Sequence, residues 1–366
     1  MSIQSGKHHL HVKWRHYAML VGVIFFALLA LSKHSIAKQY APSQSQSQER
    51  EIDLPPEMLP LPKNLARSKT LAGVYGNISS VGSDTLANLI SLWAEAFKTE
   101  YPHVKFQLQA SGSATAPQAL TQGTATIGPM SRALTANEIS QFTRRYGYPP
   151  TTIIVAVDAI AIYVEKNNPI ERLSLQQVDA LFSSTRFCGS SIRINKWRDL
   201  AVSKFGDARE VLLYGRNSAS GTYDLFKQQA LCDGDYKARV NELPGSASVV
   251  LSIASSVGGL GYAAMGYVDE NVKALSVGVP MKGQDGSVEL EYIAPTLANI
   301  TSGKYPFSRY LYIVVNKEPG KALPVLERAF LRFILSEKGQ EMVADNKYYP
   351  INQELRVKQL SLIEAP

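Results

Sequence analysis

The sequence predicts an α/β fold with mainly parallel sheets. Two observations carry this: from Leu71 onward short apolar strand runs alternate with helical patterns, and several glycine- and serine-bearing turns stand directly between them. The chain has 366 residues, 45% hydrophobic and 19% charged, enough for two ordinary domains or one large one and incompatible with wholesale disorder. No internal repeat is evident.

After Gly82-Ser83-Asp84, the residues Leu86, Leu89, Ile90, Trp93, Ala94 and Phe97 recur at three- and four-residue spacing, so one helix face is core. Val104 to Leu108 alternates as a strand. Ser111-Gly112-Ser113 then opens a helix carrying Ala116, Ala119 and Leu120. Ala125 to Gly128 reads as a short strand leading to Met130-Ser131-Arg132 and a helix that starts on the capping box Thr135 to Glu138. Ile153 to Val157 and Ala159 to Val164 form an apolar run broken only by Asp158, as expected of a crossover strand between two buried environments. Asn168-Pro169 is a turn, Leu173 to Phe182 a helix, and Val211 to Tyr214 a strand. That strand runs into Arg216-Asn217-Ser218-Ala219-Ser220-Gly221-Thr222 and a helix with Leu225, Phe226 and Leu231 inward. Gly258 to Tyr262 turns into a strand, and Tyr310 to Val315 is another. Helices Leu323 to Leu335 and Ser336 to Ala344 follow, with a tail beyond Pro350.

The formal charge of +7 resides largely in the first 37 residues, which hold Lys7, Lys13, Arg15 and Lys33 and no acid. Without those four, 34 basic residues face 31 acidic ones, so the body carries no polyanion footprint and no nucleic-acid partner is expected. The basic stretch, an apolar run from Ala18 to Leu31 and the small-residue end Ser35-Ile36-Ala37 read as a secretory signal, or as an uncleaved anchor facing the same compartment. At about 14 residues the run is short of the roughly 20 a spanning helix needs. Residues 38–70 are polar and then proline-rich, a spacer between membrane and domain.

Cys188 and Cys232 are the only cysteines, and in an exported chain two cysteines point to a disulfide rather than a catalytic or metal pair; the alternative is two buried thiols. Of six histidines only His103 lies outside the leader, which removes histidine-based zinc, triad or relay chemistry. An esterase using Ser83, Ser113 or Ser220 lacks a base within reach in sequence. No metal, cofactor or catalytic residue is expected.

Four segments place hydroxyl and small residues immediately before a helix: Gly82-Ser83-Asp84-Thr85, Ser111-Gly112-Ser113-Ala114, Met130-Ser131-Arg132 and Ser218-Ala219-Ser220-Gly221-Thr222. Helix N-termini offer unpaired N–H groups and partial positive charge, and hydroxyls add donors. Arg132 and Arg216 supply full charge and a planar fork. A single loop of this kind is an ordinary N-cap. Four of them, two beside arginine, point to a converging oxyanion site. Trp197 and most tyrosines are read as packing.

Those segments, together with Asp158-Ala159-Ile160-Ala161, Asn195-Lys196-Trp197 and the arginine four residues before Ser220-Gly221-Thr222, resemble the phosphate-binding periplasmic proteins of ABC transporters over about residues 73–345. The resemblance implies a two-lobed type II periplasmic-binding fold with crossover strands and a central cleft: lobe I from 71–160 and 303–350, lobe II from 161–302, and a 351–366 tail. It implies inorganic phosphate held by Asp84, Thr85, Ser113, Ser131, Arg132, Arg216, Ser220, Gly221 and Thr222, with Ser83 and Asp158 as second candidates. A monomer that either delivers phosphate to an ABC permease or reports it, touching the membrane only through its N-terminal segment, is expected. The best-known family members carry a carboxylate at about the Ser131 position, to accept the proton of monohydrogen phosphate; here Asp84, then Asp158, is the nearest replacement. Sulfate or molybdate binding, or an envelope scaffold or adhesion role on the same fold, are the alternatives.

Overall fold

A computed structural model describes residues 73–205, 208–282 and 287–365. The leader, the spacer and the assigned signal lie outside the described residues. The first βα units run β1 (Gly76–Val81), α1 (Ala87–Glu100), β2 (Val104–Gln109), α2 (Thr115–Gln122), β3 (Ile127–Met130) and α3 (Ala136–Tyr146). Then come β4 (Thr151–Glu165), β5 (Arg172–Ser174), α4 (Leu175–Phe182), β6 (Leu212–Arg216), α5 (Gly221–Ala230), β7 (Asn241–Leu243) and α6 (Ser246–Ala254). The remainder is β8 (Gly259–Ala264), β9 (Val272–Ala274), β10 (Ser276–Lys282), β11 (Val288–Ile293), α7 (Leu297–Thr301), β12 (Ser308–Val315), α8 (Val325–Ile334), α9 (Glu337–Asp345) and α10 (Gln353–Glu364).

A nine-stranded sheet runs β2-β1-β3-β12-β4-β8-β6-β7, with β9 added beside β4. Its two ends are parallel, β1 with β2 and β3, and β6 with β7 and β8. The centre is antiparallel, because β4 pairs with β12 along its first part and with β8 along its second. The expected mainly parallel sheet therefore holds at the ends and fails in the middle, where the long crossover strands set the pairing. β4 is one continuous strand of 15 residues, fully buried around Asp158. A separate three-stranded sheet runs β11-β10-β5.

The apolar stripe of α1 is buried as its spacing requires: Leu89, Ile90, Trp93, Ala94 and Phe97 face inward, with Phe97 edge-on to Phe330 and Phe333 of α8. Three sequence boundaries shift. Leu173 and Ser174 belong to β5, and Ser174 caps α4 through a capping box with Gln177. Beyond Pro350, read as a tail, the chain forms α10, and Gln359 of that helix accepts a hydrogen bond from the Ile154 amide of β4 at 2.9 Å. The strand expected at Ala125 to Gly128 lies two residues later. Cys188 and Cys232 are joined as a disulfide, Cα to Cα 5.3 Å. Trp197 is fully buried, in a packing role.

Candidate functional site

Strands β1, β2, β3, β6 and β7 each pass at the C-terminal edge into a short loop and then a helix, the position at which open α/β sheets gather ligands. The loops after β1, β2 and β3 are laced together by their backbones. The Gly82 amide donates to Gln109 O at 3.0 Å, Ser83 N to Pro129 O at 2.8 Å, and Gly112 N to Gly82 O at 2.8 Å.

The loop after β6 meets them from the other half of the sheet, with the Ala114 amide bonded to Ala219 O at 3.1 Å. Glycine is required on both sides of this contact. A Cβ on Gly112, whose φ is +108°, would stand 2.3 Å from Ala219 O; one on Gly221 would stand 2.5 Å from Ser113 Oγ and 2.8 Å from Ser131 Oγ.

The hydroxyls themselves form a fully buried cluster. Ser113 Oγ and Ser131 Oγ are 3.1 Å apart, and Thr85 Oγ1 and Thr222 Oγ1 are 3.3 Å apart. Ser113 Oγ also accepts from the Ser131 amide at 3.0 Å, and Ser220 Oγ caps α5 by accepting from the Thr222 amide at 3.1 Å. Ser83 Oγ is buried with no hydrogen-bond partner among the described residues.

Three arginines near these loops are held in different ways. Arg216, fully buried at the end of β6, donates to Asp84 Oδ1, to Ser246 Oγ at 2.9 Å and to Pro244 O at 2.8 Å. Asp84 Oδ2 in turn accepts from the Ser246 amide at 3.1 Å, so one carboxylate ties the first loop to the start of α6. Arg132 turns elsewhere: it forms a paired contact with Glu138, 2.8 and 2.9 Å, and donates Nε to Asp224 Oδ2 of α5 at 2.7 Å. Neither Arg132 nor Arg216 donates to the four clustered hydroxyls: Arg216 is spent on Asp84, Ser246 and backbone carbonyls, and Arg132 on Glu138 and Asp224.

Arg309, at the start of β12, takes that place and was missed by the sequence reading. Its Nη1 donates to Thr222 Oγ1 at 2.9 Å and to Ser131 O at 3.2 Å, and Nη2 lies 3.5 Å from Thr85 Oγ1. Nε and Nη2 both hold Asp158 Oδ2. Burial pushes the Asp158 carboxyl above its ordinary value, with the charge and hydrogen bonds of Arg309 pulling the other way. One signal was available: a cation and an acid, each set in an otherwise apolar strand, need one another when both strands are buried.

The arrangement presents hydroxyls and two guanidinium groups whose charges Asp84 and Asp158 balance, a neutral, donor-rich environment suited to a small oxyanion. Among the described residues no group of three or more His, Cys, Asp or Glu side chains is placed to hold a metal. His103 is exposed in the turn before β2, at the opposite end of that six-residue strand from the loop that carries Ser113, about 20 Å away at ~3.3 Å per residue.

Comparison with known proteins gives the same picture. Residues 67–338 match the family model described as PBP superfamily domain. A phosphate-binding protein PstS of Pseudomonas aeruginosa is 49% identical over 294 residues, 80% of this chain and 89% of that one. PstS of Staphylococcus aureus is 25% identical over 266 residues, 72% of this chain and 76% of that one. A phosphate ABC transporter substrate-binding protein from Clostridium perfringens, solved with bound phosphate, is similar with a TM-score of 0.62 at 26% identity, covering 76% of this chain and 100% of that one.

Proposed function

Because this chain belongs to the PstS family of phosphate-binding proteins within the PBP superfamily, we propose that it captures inorganic phosphate between two α/β lobes and presents it to an ABC permease. The observation that carries the reading is the buried convergence of Thr85, Ser113, Ser131 and Thr222 on one another and on Arg309. Phosphate is held by those hydroxyls, by Ser83, Ser220 and the amides at the starts of α1, α2 and α5, and by guanidinium N–H groups of Arg216 and Arg309. Arg132 acts one step away, binding Asp224 across the two halves. We take 71–160 with 303–350 as lobe I and 161–302 as lobe II, closing about β4 so that ligand favours the closed form. The role is capture in an extracytoplasmic compartment; no chemistry on the ligand is proposed.

Selectivity rests on a carboxylate. Monohydrogen phosphate has a proton to give, whereas sulfate brings only acceptors and faces an unpaired buried charge. Asp84 is assigned this task because its side chain keeps 13% exposure, whereas Asp158 is fully enclosed and fixes Arg309. Calorimetry and thermal melting with phosphate, arsenate, sulfate and molybdate test the reading. Ligand at about 1,000 times its Kd should add roughly 4 kcal/mol to the folded state. Phosphate should shift the melt upward and sulfate should not; equal shifts would make the site a general oxyanion binder, and no shift with any anion would favour a scaffold.

A further inference from the structure

Away from the cleft loops, a pocket of about 300 Å³ is lined by Arg186, Arg193, Lys237 and Arg239, with Ser184 and Asn195 beside them. We infer that this pocket is a second anion site, shaped for a compact polyanion made of linked phosphate groups such as pyrophosphate or tripolyphosphate.

Four cations line the pocket, and no carboxylate does. Three acids reach it from outside the lining: Asp179 acts on Lys237, and Glu210 and Asp199 act on Arg239. None of the three forms a hydrogen-bonded ion pair with the four cations, though Asp179 Oδ1 is itself without a hydrogen-bond partner among the described residues. Asp179 Oδ2 accepts from the Cys188 amide at 3.0 Å, Asp199 Oδ2 accepts from the Asn195 and Lys196 amides, and Glu210 stands 3.7 Å from Arg239 with its own side chain 64% exposed.

Unused donors point the same way. Arg239 Nε is buried with no hydrogen-bond partner among the described residues, a costly state unless an acceptor arrives. Arg193 makes neither a hydrogen bond nor an ion pair within 4.0 Å among the described residues, and Arg186 spends Nε and Nη1 on Ser190 O and Ser184 O. Lys237 is anchored by neutral groups only, donating to Ala180 O at 2.6 Å, Ile194 O at 2.9 Å and Asn195 Oδ1 at 3.2 Å. Burial, then the fields of Arg239, Arg186 and Arg193, hold its pKa down to about 8. The cluster is therefore under mutual repulsion that an anion relieves.

The pocket is also pre-built. Its lining comes from the segment after α4 and the segment after α5, and the Cys188–Cys232 disulfide ties those two segments together. Planar guanidinium forks match successive phosphate groups, and a pocket of this size suits a small ligand better than a broad partner surface. Its physics differs from that of the cleft. There the guanidinium charges are balanced by Asp84 and Asp158 and recognition is by hydrogen bonding, whereas here the net charge drives binding and salt weakens it.

The test uses the full chain with orthophosphate saturating the cleft, and tripolyphosphate titrated calorimetrically at low and moderate salt. One tripolyphosphate should bind per chain, more weakly as salt rises. Arg193→Glu, at an exposed position, should cost at least about tenfold in tripolyphosphate affinity and leave orthophosphate affinity and thermal stability unchanged; Arg239→Gln should cost a similar factor. The proposal is overturned if saturating orthophosphate abolishes the tripolyphosphate signal, if Arg193→Glu binds as the parent does, or if tripolyphosphate does not bind at all.

Discussion

Arg309 of β12 and Asp158 of β4 are register partners in the sheet, and the guanidinium sets both Nε and Nη2 on the same carboxylate oxygen, at 2.9 and 2.7 Å. The pair holds Arg309 while its remaining edge reaches Thr222 and Thr85. Removing one member of a buried pair strands the other, at about 3–5 kcal/mol. Arg309→Ala should therefore lower the melting temperature sharply and abolish measurable phosphate binding. The double variant Arg309→Met with Asp158→Leu should regain much of the stability and none of the affinity, as denaturant melts and calorimetry on the same samples would show. Recovery of affinity in the double variant would remove Arg309 from the site.

Arg216→Ala deletes the charge that joins Asp84 to the start of α6. Phosphate should no longer raise the melting temperature of this variant. A phosphate-dependent shift equal to that of the parent would argue against its role.

Gly221→Ala adds a single carbon 2.5 Å from Ser113 Oγ. Overpacking of this kind costs about 1–3 kcal/mol, and if the strain falls on the closed form it appears as a loss of roughly 5- to 150-fold in phosphate affinity. Calorimetry reads it directly. An unchanged affinity would mean that the two loops do not need to touch for binding.

Glu138 carries a pH signature. Burial alone would raise its carboxyl pKa, but the Arg132 guanidinium and the Thr135 amide outweigh burial and hold it below the ordinary value. As pH falls the unfolded chain binds this proton first, so the stability Glu138 contributes is complete above the ordinary carboxylate range and drains away as pH drops through the folded value. Urea melts from about pH 7 to about pH 3 should show a shallower acid limb for Glu138→Gln. An identical slope would mean the pair contributes nothing.

Replacing Cys188 and Cys232 by serine should reduce stability by roughly 3–4 kcal/mol, given the 44-residue separation, and leave phosphate affinity intact because neither sulfur touches the cleft loops. A large fall in phosphate affinity would connect the disulfide to the cleft.

The four loops were legible because glycine, serine and threonine directly before an amphipathic run mark the N-terminus of a helix, where backbone donors stand free. Arg309 was not, because a cation in front of an apolar strand looks like an ordinary flank until Asp158 is found opposite it. Arg132 was assigned to the ligand because it follows Ser131. The sequence also showed Glu138 as half of a capping box, and the same carboxylate claims the guanidinium. Helix α10 escaped notice since only Gln359 and Ile363 are buried in it, leaving no apolar stripe; Asn352, accepting from the Leu355 amide at 2.8 Å, starts it.

Thr85, Ser113, Ser131 and Thr222 are all sealed from solvent. If phosphate is held there as proposed, it leaves only when the contact between the loops opens, so its residence time becomes the waiting time for that opening. On that reading the speed of delivery is set by whatever parts the loops rather than by the hydrogen bonds inside.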